Sequence, residues 1–461
     1  MTPLKIIEGG VIRRDVEREY LMRSRTRELN ALDLRAKLAS INVAKRRLKE
    51  LIKRYGPDVL KAVIGGIMDE AEERLRARLR ELPDGTYRHR GYIDYFDGVN
   101  KAIYPLHLAL TRERDRLIFD FTGTAEQAPA LLNCSYSGLL AGVLIGILVT
   151  LGYDIPWSPG GLLRAVEIIA PPGTIFNATW PAGVSKSTTA GSYAATNLAC
   201  ACISRMLQAS EKFKDRSMSL WIGSLPTQEL FGTDQRGKPF GVTILDAMAG
   251  GAGATRWRDG IDTGGFIRSV AAMIANVETH EFRYPILYLW RRQEADTGGA
   301  GRFRGGVGIS LAFTPHDVDE IPTNVMHTLG FQQPDSAGMS GGYPGAKNLF
   351  AIKRGSNLWG LFSRGTLPQS LKEVDGRLEI PPPLKVSYLK RGDIYQCLAS
   401  GGGGYGDPLE REPERVLKDV LSGLVSAKSA RRLYGVAIDK GVVDEVATKR
   451  LREKIRRRRC R

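Results

Sequence analysis

The chain has 461 residues, 43% of them hydrophobic and 25% charged, which excludes a disordered or collagen-like polymer and fits an ordinary globular protein. A formal charge of +17, from 67 Lys and Arg against 50 Asp and Glu, would attract nucleic acid or anionic membrane. The excess sits in candidate helices (13–54 and 74–80) and in the tail Arg456-Arg457-Arg458-Arg459, with no aromatic-interleaved basic module, so solvated helix faces account for it and nucleic acid is not an expected partner.

Residues 1–20 alternate charge with short apolar runs, unlike a secretory signal. From Glu28 onward Leu34, Leu38, Ile41, Leu48, Ile52 and Tyr55 recur at helical spacing, which predicts one buried helix face. Gly56-Pro57 ends that helix, and Asp58 caps a second one with Leu60, Val63, Ile64, Ile67, Met68, Ala71, Leu75 and Leu79 as its buried stripe. An antiparallel helical pair is expected, closed by the turn Pro83-Asp84-Gly85.

A hairpin follows, with strands at 103–110 and 117–121 and a charged turn at 112–115. The most apolar run, 139–152, is well short of the roughly 20 residues that span a bilayer, so it predicts a buried helix over 137–151 and no membrane partner. A strand at 165–169, loops at 171–173 and 181–187, and a buried helix over 192–207 come next. Glycines then cluster at 250–253 and 264–265. Residues 284–400 read as short strands and turns, a barrel or sandwich. Helices are expected again at 414–422, 426–434 and 440–459. The fold class is therefore α+β in four regions: a helical pair (1–85), a mixed α/β region (86–280), a glycine-rich β region (281–408) and C-terminal helices (409–461).

Two glycine motifs stand out. In Asp296-Thr-Gly-Gly-Ala-Gly-Arg302-Phe-Arg304-Gly-Gly306, successive N–H groups could form an anion nest and two arginines could grip a carboxylate or phosphate. The alternative is a glycine-rich connection between two strands. It is not a Walker A loop, since no Gly-Lys-Ser/Thr closes it, so this chain carries no expected nucleotide site. Gly401-Gly-Gly-Gly-Tyr405-Gly406-Asp407-Pro408 reads as structural, because four consecutive glycines demand close backbone packing or an unusual turn.

The run 291–308 containing the first motif, together with 401–408, Glu414 to Gly423 and Ala430 to Val436, resembles the signatures of the hydantoinase B/oxoprolinase family, which includes acetone and acetophenone carboxylase subunits. Leu82 to Tyr87, Phe119 to Thr124, Asn133 and Ala170 to Ile175 match further landmarks in family order. The resemblance implies a subunit of an ATP-dependent cyclic-amide hydrolase. ATP would be bound by a hydantoinase A-like, ATPase-fold partner that phosphorylates the small-molecule substrate. A ketone carboxylase subunit and a catalytically incomplete assembly subunit are the alternatives. The chain resembles the family from its mid-region onward, so the segment that usually carries metal-binding His and Asp is expected from a separate chain, or the polypeptide is a truncated gene product or a member that has lost chemistry.

Within this chain His89, His107, His280, His316 and His327 are scattered, and the nearest grouping is Asp259, Asp262, His280 and Glu281, an expected place for Mg or Mn at best. Arg302 and Arg304 are expected to position an anionic intermediate, with Asp296 orienting them and His280 and Glu281 as acid/base candidates. Ser185-Lys186-Ser187 has no supporting base, and Cys200 and Cys202 suit core packing better than zinc. Glu70, Glu72 and Glu73 read as a solvated face. Five scattered cysteines imply no disulfide framework and a cytoplasmic setting.

Overall fold

Gly56, at φ +80°, divides helix Arg27–Tyr55 from helix Pro57–Arg80, since glycine tolerates the left-handed backbone and proline suits a first helical turn. The computed structural model describes residues 4–24, 26–269 and 273–459. The helical pair forms where expected, but its stripes are buried only at their bases: Leu34 on the first helix, and Ala71, Leu75 and Leu79 on the second. Ile41, Leu48, Ile52, Tyr55, Val63, Ile64 and Ile67 face solvent, which corrects the expectation of mutual burial. The second helix is instead seated on the body of the protein. Gly160 and Gly161 leave room for Met68, and Ala71, Leu75 and Leu79 join the core beneath the first sheet.

That sheet has strands Gly85–Phe96, Lys101–Glu113 and Arg116–Asp120 in antiparallel order, with Val166–Ile169 added in parallel at the edge. The hairpin expected from the sequence is its centre. The strand Gly85–Phe96 was not expected: its Arg88, His89, Arg90 and Asp94 hide the alternation that Tyr87 and Ile93 carry. Helices Tyr136–Thr150 and Gly191–Gln208 cover one side, close to their predicted ranges. Gly142 and Gly146 bring the two helices into near backbone contact, since a Cβ at either position would press on Ser192 or Ala199.

The β-rich region holds two open sheets. One orders Arg377–Glu379, Leu349–Arg354, Ile394–Leu398, Ile309–Pro315 and Ile286–Gln293. The other orders Leu384–Lys390, Glu320–His327, Thr227–Thr233 and Pro239–Ile244, so it draws strands from both sides of residue 280. Leu230, Phe240, Ile309, Phe313, Met326 and Tyr395 share one core, and among the described residues no closed barrel forms. Helices Pro413–Leu421, Ala427–Arg432 and Glu445–Arg459 end the chain, with Val416, Ala430 and Tyr434 packed against Ala300 of the glycine-rich motif.

Candidate functional site

The glycine motifs are a packing device. Gly299 N–H donates to Gly402 O (2.8 Å), Gly306 N–H to Ala252 O (2.9 Å), Gly402 N–H to Gly306 O (3.0 Å) and Gly404 N–H to Tyr343 O (2.9 Å). Four chain segments therefore interlock backbone against backbone, and a Cβ at Gly251, Gly305 or Gly402 would collide with a neighbouring carbonyl. Further N–H groups of the motif are also taken: Arg302 by Gly406 O (3.2 Å), Phe303 by Tyr405 O (2.9 Å), Arg304 by Asp259 (2.7 Å) and Gly305 by Gly299 O (2.9 Å). Donors already bonded inside the protein cannot turn to an anion. The nest is absent.

The two arginines part company. Arg304 is 3% exposed, donates to both oxygens of Asp262 (2.8 and 3.2 Å) and lies 3.6 Å from Asp419. Arg411, 1% exposed, spans Asp259 (2.7 and 2.9 Å) and Asp419 (3.0 and 2.8 Å). Burial acts to raise the Asp259 carboxyl, but the hydrogen bonds and charge of Arg411 outweigh it and hold the group below the ordinary carboxylate range. Arg304 is thus committed to an internal ion network and not to a ligand. Arg302 is exposed, stacks over Phe303 and has no carboxylate partner among the described residues. Asp296 does not orient either arginine. At φ +61°, it accepts from Ser426 N–H (2.9 Å) and ties the motif to the C-terminal helices.

The expected cluster of Asp259, Asp262, His280 and Glu281 divides as well. The two aspartates serve Arg304 and Arg411, while His280 lies 2.9 Å from the Tyr288 hydroxyl, which donates to Asp246 (3.1 Å), itself bonded to Arg291 (2.7 Å). Burial lowers the His280 imidazole, so it is neutral at pH 7. Glu281 accepts from Tyr288 N–H (2.8 Å), a strand-anchoring bond. Lys186 pairs with Glu229 (3.0 Å), and Cys200 and Cys202 are core residues. Among the described residues no three His, Cys, Asp or Glu side chains converge as a metal site.

A different site emerges where the first sheet, helix Gly191–Gln208 and the loop 329–348 meet. A cavity of about 320 Å³ is lined by His89 and Asp94 from the strand, Asn197 and Leu198 from the helix, and Gln333 and Asp335 from the loop. The volume suits a small organic molecule. Asp94 is saturated, accepting from Gly330 N–H (2.9 Å) and Gln332 N–H (2.6 Å), and it holds the loop in place. Asp335 is the opposite. Both its oxygens are shut off from solvent with no hydrogen-bond partner, and its carboxyl is wedged between the backbones of Gly223 and Gly330. The nearby Ser224 hydroxyl is spent on Leu329 O (2.8 Å). Burial, with the charge of Asp94 added, pushes Asp335 up to about 7. His89, lowered to about 4 by burial and by Arg205, is a neutral wall. A larger groove of about 790 Å³ adjoins at Gln333 and carries Lys101 and Lys347, neither with a carboxylate partner among the described residues.

Nothing in the residues around Asp335 marked them beforehand. Gln332-Gln333-Pro334-Asp335 reads as a plain turn, and its burial depends on Gly330 just upstream and on Gly223 arriving from elsewhere in the chain.

Comparison with known proteins places this architecture. The family model for hydantoinase B/oxoprolinase matches residues 1–408. Caprolactamase subunit beta of Pseudomonas jessenii is 30% identical over 97% of this chain and 73% of its own length. The crystal structure of the ATP-dependent caprolactamase from Pseudomonas jessenii superposes with a TM-score of 0.82 at 28% identity, over 98% of this chain and 74% of that one. The nucleotide-free acetone carboxylase structure shares the fold, with a TM-score of 0.89 at 23% identity over all of this chain and 64% of that one. No described helix is long and apolar enough to cross a membrane. The chain belongs to the hydantoinase B/oxoprolinase family.

Proposed function

We propose that the chain is a subunit of a cytoplasmic, ATP-dependent cyclic-amide hydrolase, and that the cavity around Asp335 receives the activated ring. Support comes from the caprolactamase relative and from one observation in particular: a buried carboxyl without a partner, with its proton affinity near neutrality, at the edge of a cavity sized for a small ring. A hydantoinase A-like, ATPase-fold partner binds ATP and phosphorylates the amide oxygen. Lys101 and Lys347 in the adjoining groove hold the phosphate. With its side chain turned from its sealed seat into the cavity, Asp335 takes one proton from the water that adds to the activated carbon and passes it to the ring nitrogen, and the proton left on the new hydroxyl follows as the C–N bond breaks. The acyl phosphate so formed falls to carboxylate and phosphate with a second water. Arg302 keeps its charged end in solvent, and a contact with an anion is proposed for it only at a surface completed by a partner. No step is routed through a metal.

The test is ATP-dependent ring opening. The chain, co-purified with its ATPase-fold partner, is given ATP and a lactam or hydantoin, and the free amino product is measured. Product formed with water and ATP alone supports the reading. ATP consumption that requires bicarbonate and a ketone assigns the protein to the carboxylase alternative.

A further inference from the structure

In helix Arg27–Tyr55, positions 34, 38, 41, 45, 48, 52 and 55 follow steps of four and three, the repeat of a coiled-coil seam. Only its base meets this chain. Ile41 is 61% exposed, Leu48 49% and Tyr55 49%, and on the returning helix Ile64 is 52% exposed. Gly65 and Gly66 follow at once. Each glycine in a helix interior costs about 1 kcal/mol relative to alanine, yet a Cβ at either position would meet nothing within 4 Å in this chain. The fold itself makes no use of their small size. A partner's backbone approaching closely would.

The charge pattern narrows the occupant. Helix Arg27–Tyr55 carries nine Lys and Arg against three Asp and Glu, and among the described residues only Arg46 and Arg47 are paired, both with Glu50. Two copies of the seam would bring Lys45 and its basic flanks against their like, so self-association is opposed. The narrow four–three stripe, interrupted by Lys45, also differs from the broad apolar face of a membrane-lying helix. Building on the proposed function, we propose that the outer part of this helical arm, residues 38–67, is the docking surface for the ATPase-fold subunit. That subunit supplies a helix with an apolar seam rimmed by carboxylates.

The experiment uses the full chain and the purified ATPase-fold subunit. Binding is measured by light scattering on a sizing column and by titration, with hydrogen exchange followed across residues 27–67. The variants are Ile41→Glu with Leu48→Glu, and separately Ile64→Glu; all three positions are exposed, so folding is unaffected. The complex is expected to protect 38–67, to weaken roughly a hundredfold in either variant, and to weaken as salt rises from about 0.1 to about 0.5 M. The proposal is overturned if variants bind and turn over like the wild type while the arm exchanges freely in the complex. Dimerisation of the chain alone through the arm, or its protection by phosphatidylserine vesicles and not by the subunit, overturns it too. A wild-type chain that forms no complex at all instead sinks the hydrolase reading and the docking with it, so the two failures are distinct.

Discussion

Asp94 and Asp335 line one cavity, one carboxylate bonded to backbone N–H groups and the other with no partner, and the charge of the first raises the proton affinity of the second. On the proposed function, this asymmetry separates a structural carboxylate from a reactive one. Asp94 fixes the loop that carries Asp335, so the same bonds that order the site also set its chemistry.

Stability should record the strained carboxyl. Asp335 is raised from its ordinary value of 3.8 to about 7 in the folded chain, so the folded state holds the proton more tightly than the unfolded state. Its contribution is fully present below about pH 4 and is lost as pH rises towards 7, then levels off. Asp94 is raised by burial as well and acts with the same sign. Asp335→Asn should remove part of this slope and stabilise the protein above pH 7 by on the order of 1–3 kcal/mol. Urea unfolding of wild type and variant between pH 4.5 and 8, read as a difference, checks it; parallel curves would refute it.

Arg411 should behave as a keystone. Removing it takes the nearest partner from buried Asp419 and one of two arginine partners from half-buried Asp259, and breaking a buried ion pair on one side costs about 3–5 kcal/mol. Arg411→Ala is expected to lower the urea midpoint accordingly. Arg302→Ala should leave the midpoint unchanged, since its side chain is exposed and unpaired. Equal effects from the two would contradict the division of labour between buried and exposed guanidinium groups.

Gly402→Ala should abolish folding. Its Cβ would enter the Ala252 carbonyl, and the two segments are tied together by Gly251 N–H to Ser400 O (3.2 Å) and Ala254 N–H to Gly403 O (2.9 Å), with no side chain free to yield. Loss of more than about 4 kcal/mol is expected, seen as insoluble expression or a collapsed circular dichroism signal. Gly65→Ala, at an open helical position, should instead raise the melting temperature of the isolated chain.

The groove lysines give a separable prediction. Lys101→Ala with Lys347→Ala should raise the substrate KM or slow turnover of the assembled complex about tenfold or more, with unfolding unchanged because both side chains are exposed. Arg302→Ala tests the remaining surface arginine in the same assay, and unchanged turnover would remove it from the site.

Much of this fold was legible because periodicity and turn chemistry are local. The heptad of Leu34 to Tyr55, the break at Gly56-Pro57 and the two apolar helices all stand at their expected places. What the pattern could not reveal is which chain covers a stripe, so Ile41 and Ile64 were expected inside and lie outside. The glycine-arginine motif announced itself, and its glycines turn out to admit neighbouring backbone. Glycines that invite a ligand and glycines that admit another backbone look alike until the segments around Ala252, Tyr343 and Gly402 are seen to interlock. Asp335 carries no local signal, since its isolation is made by Gly223 and Gly330, both distant from any motif.

The central claim rests on the Asp335 carboxyl, and the direct measurement is the pH profile of ATP-dependent ring opening by the assembled complex, wild type against Asp335→Asn. The account predicts a wild-type profile with an inflection near pH 7 and a variant that still assembles and phosphorylates substrate but opens the ring at least roughly a hundredfold more slowly. An Asp335→Asn complex with the wild-type rate and profile would contradict it.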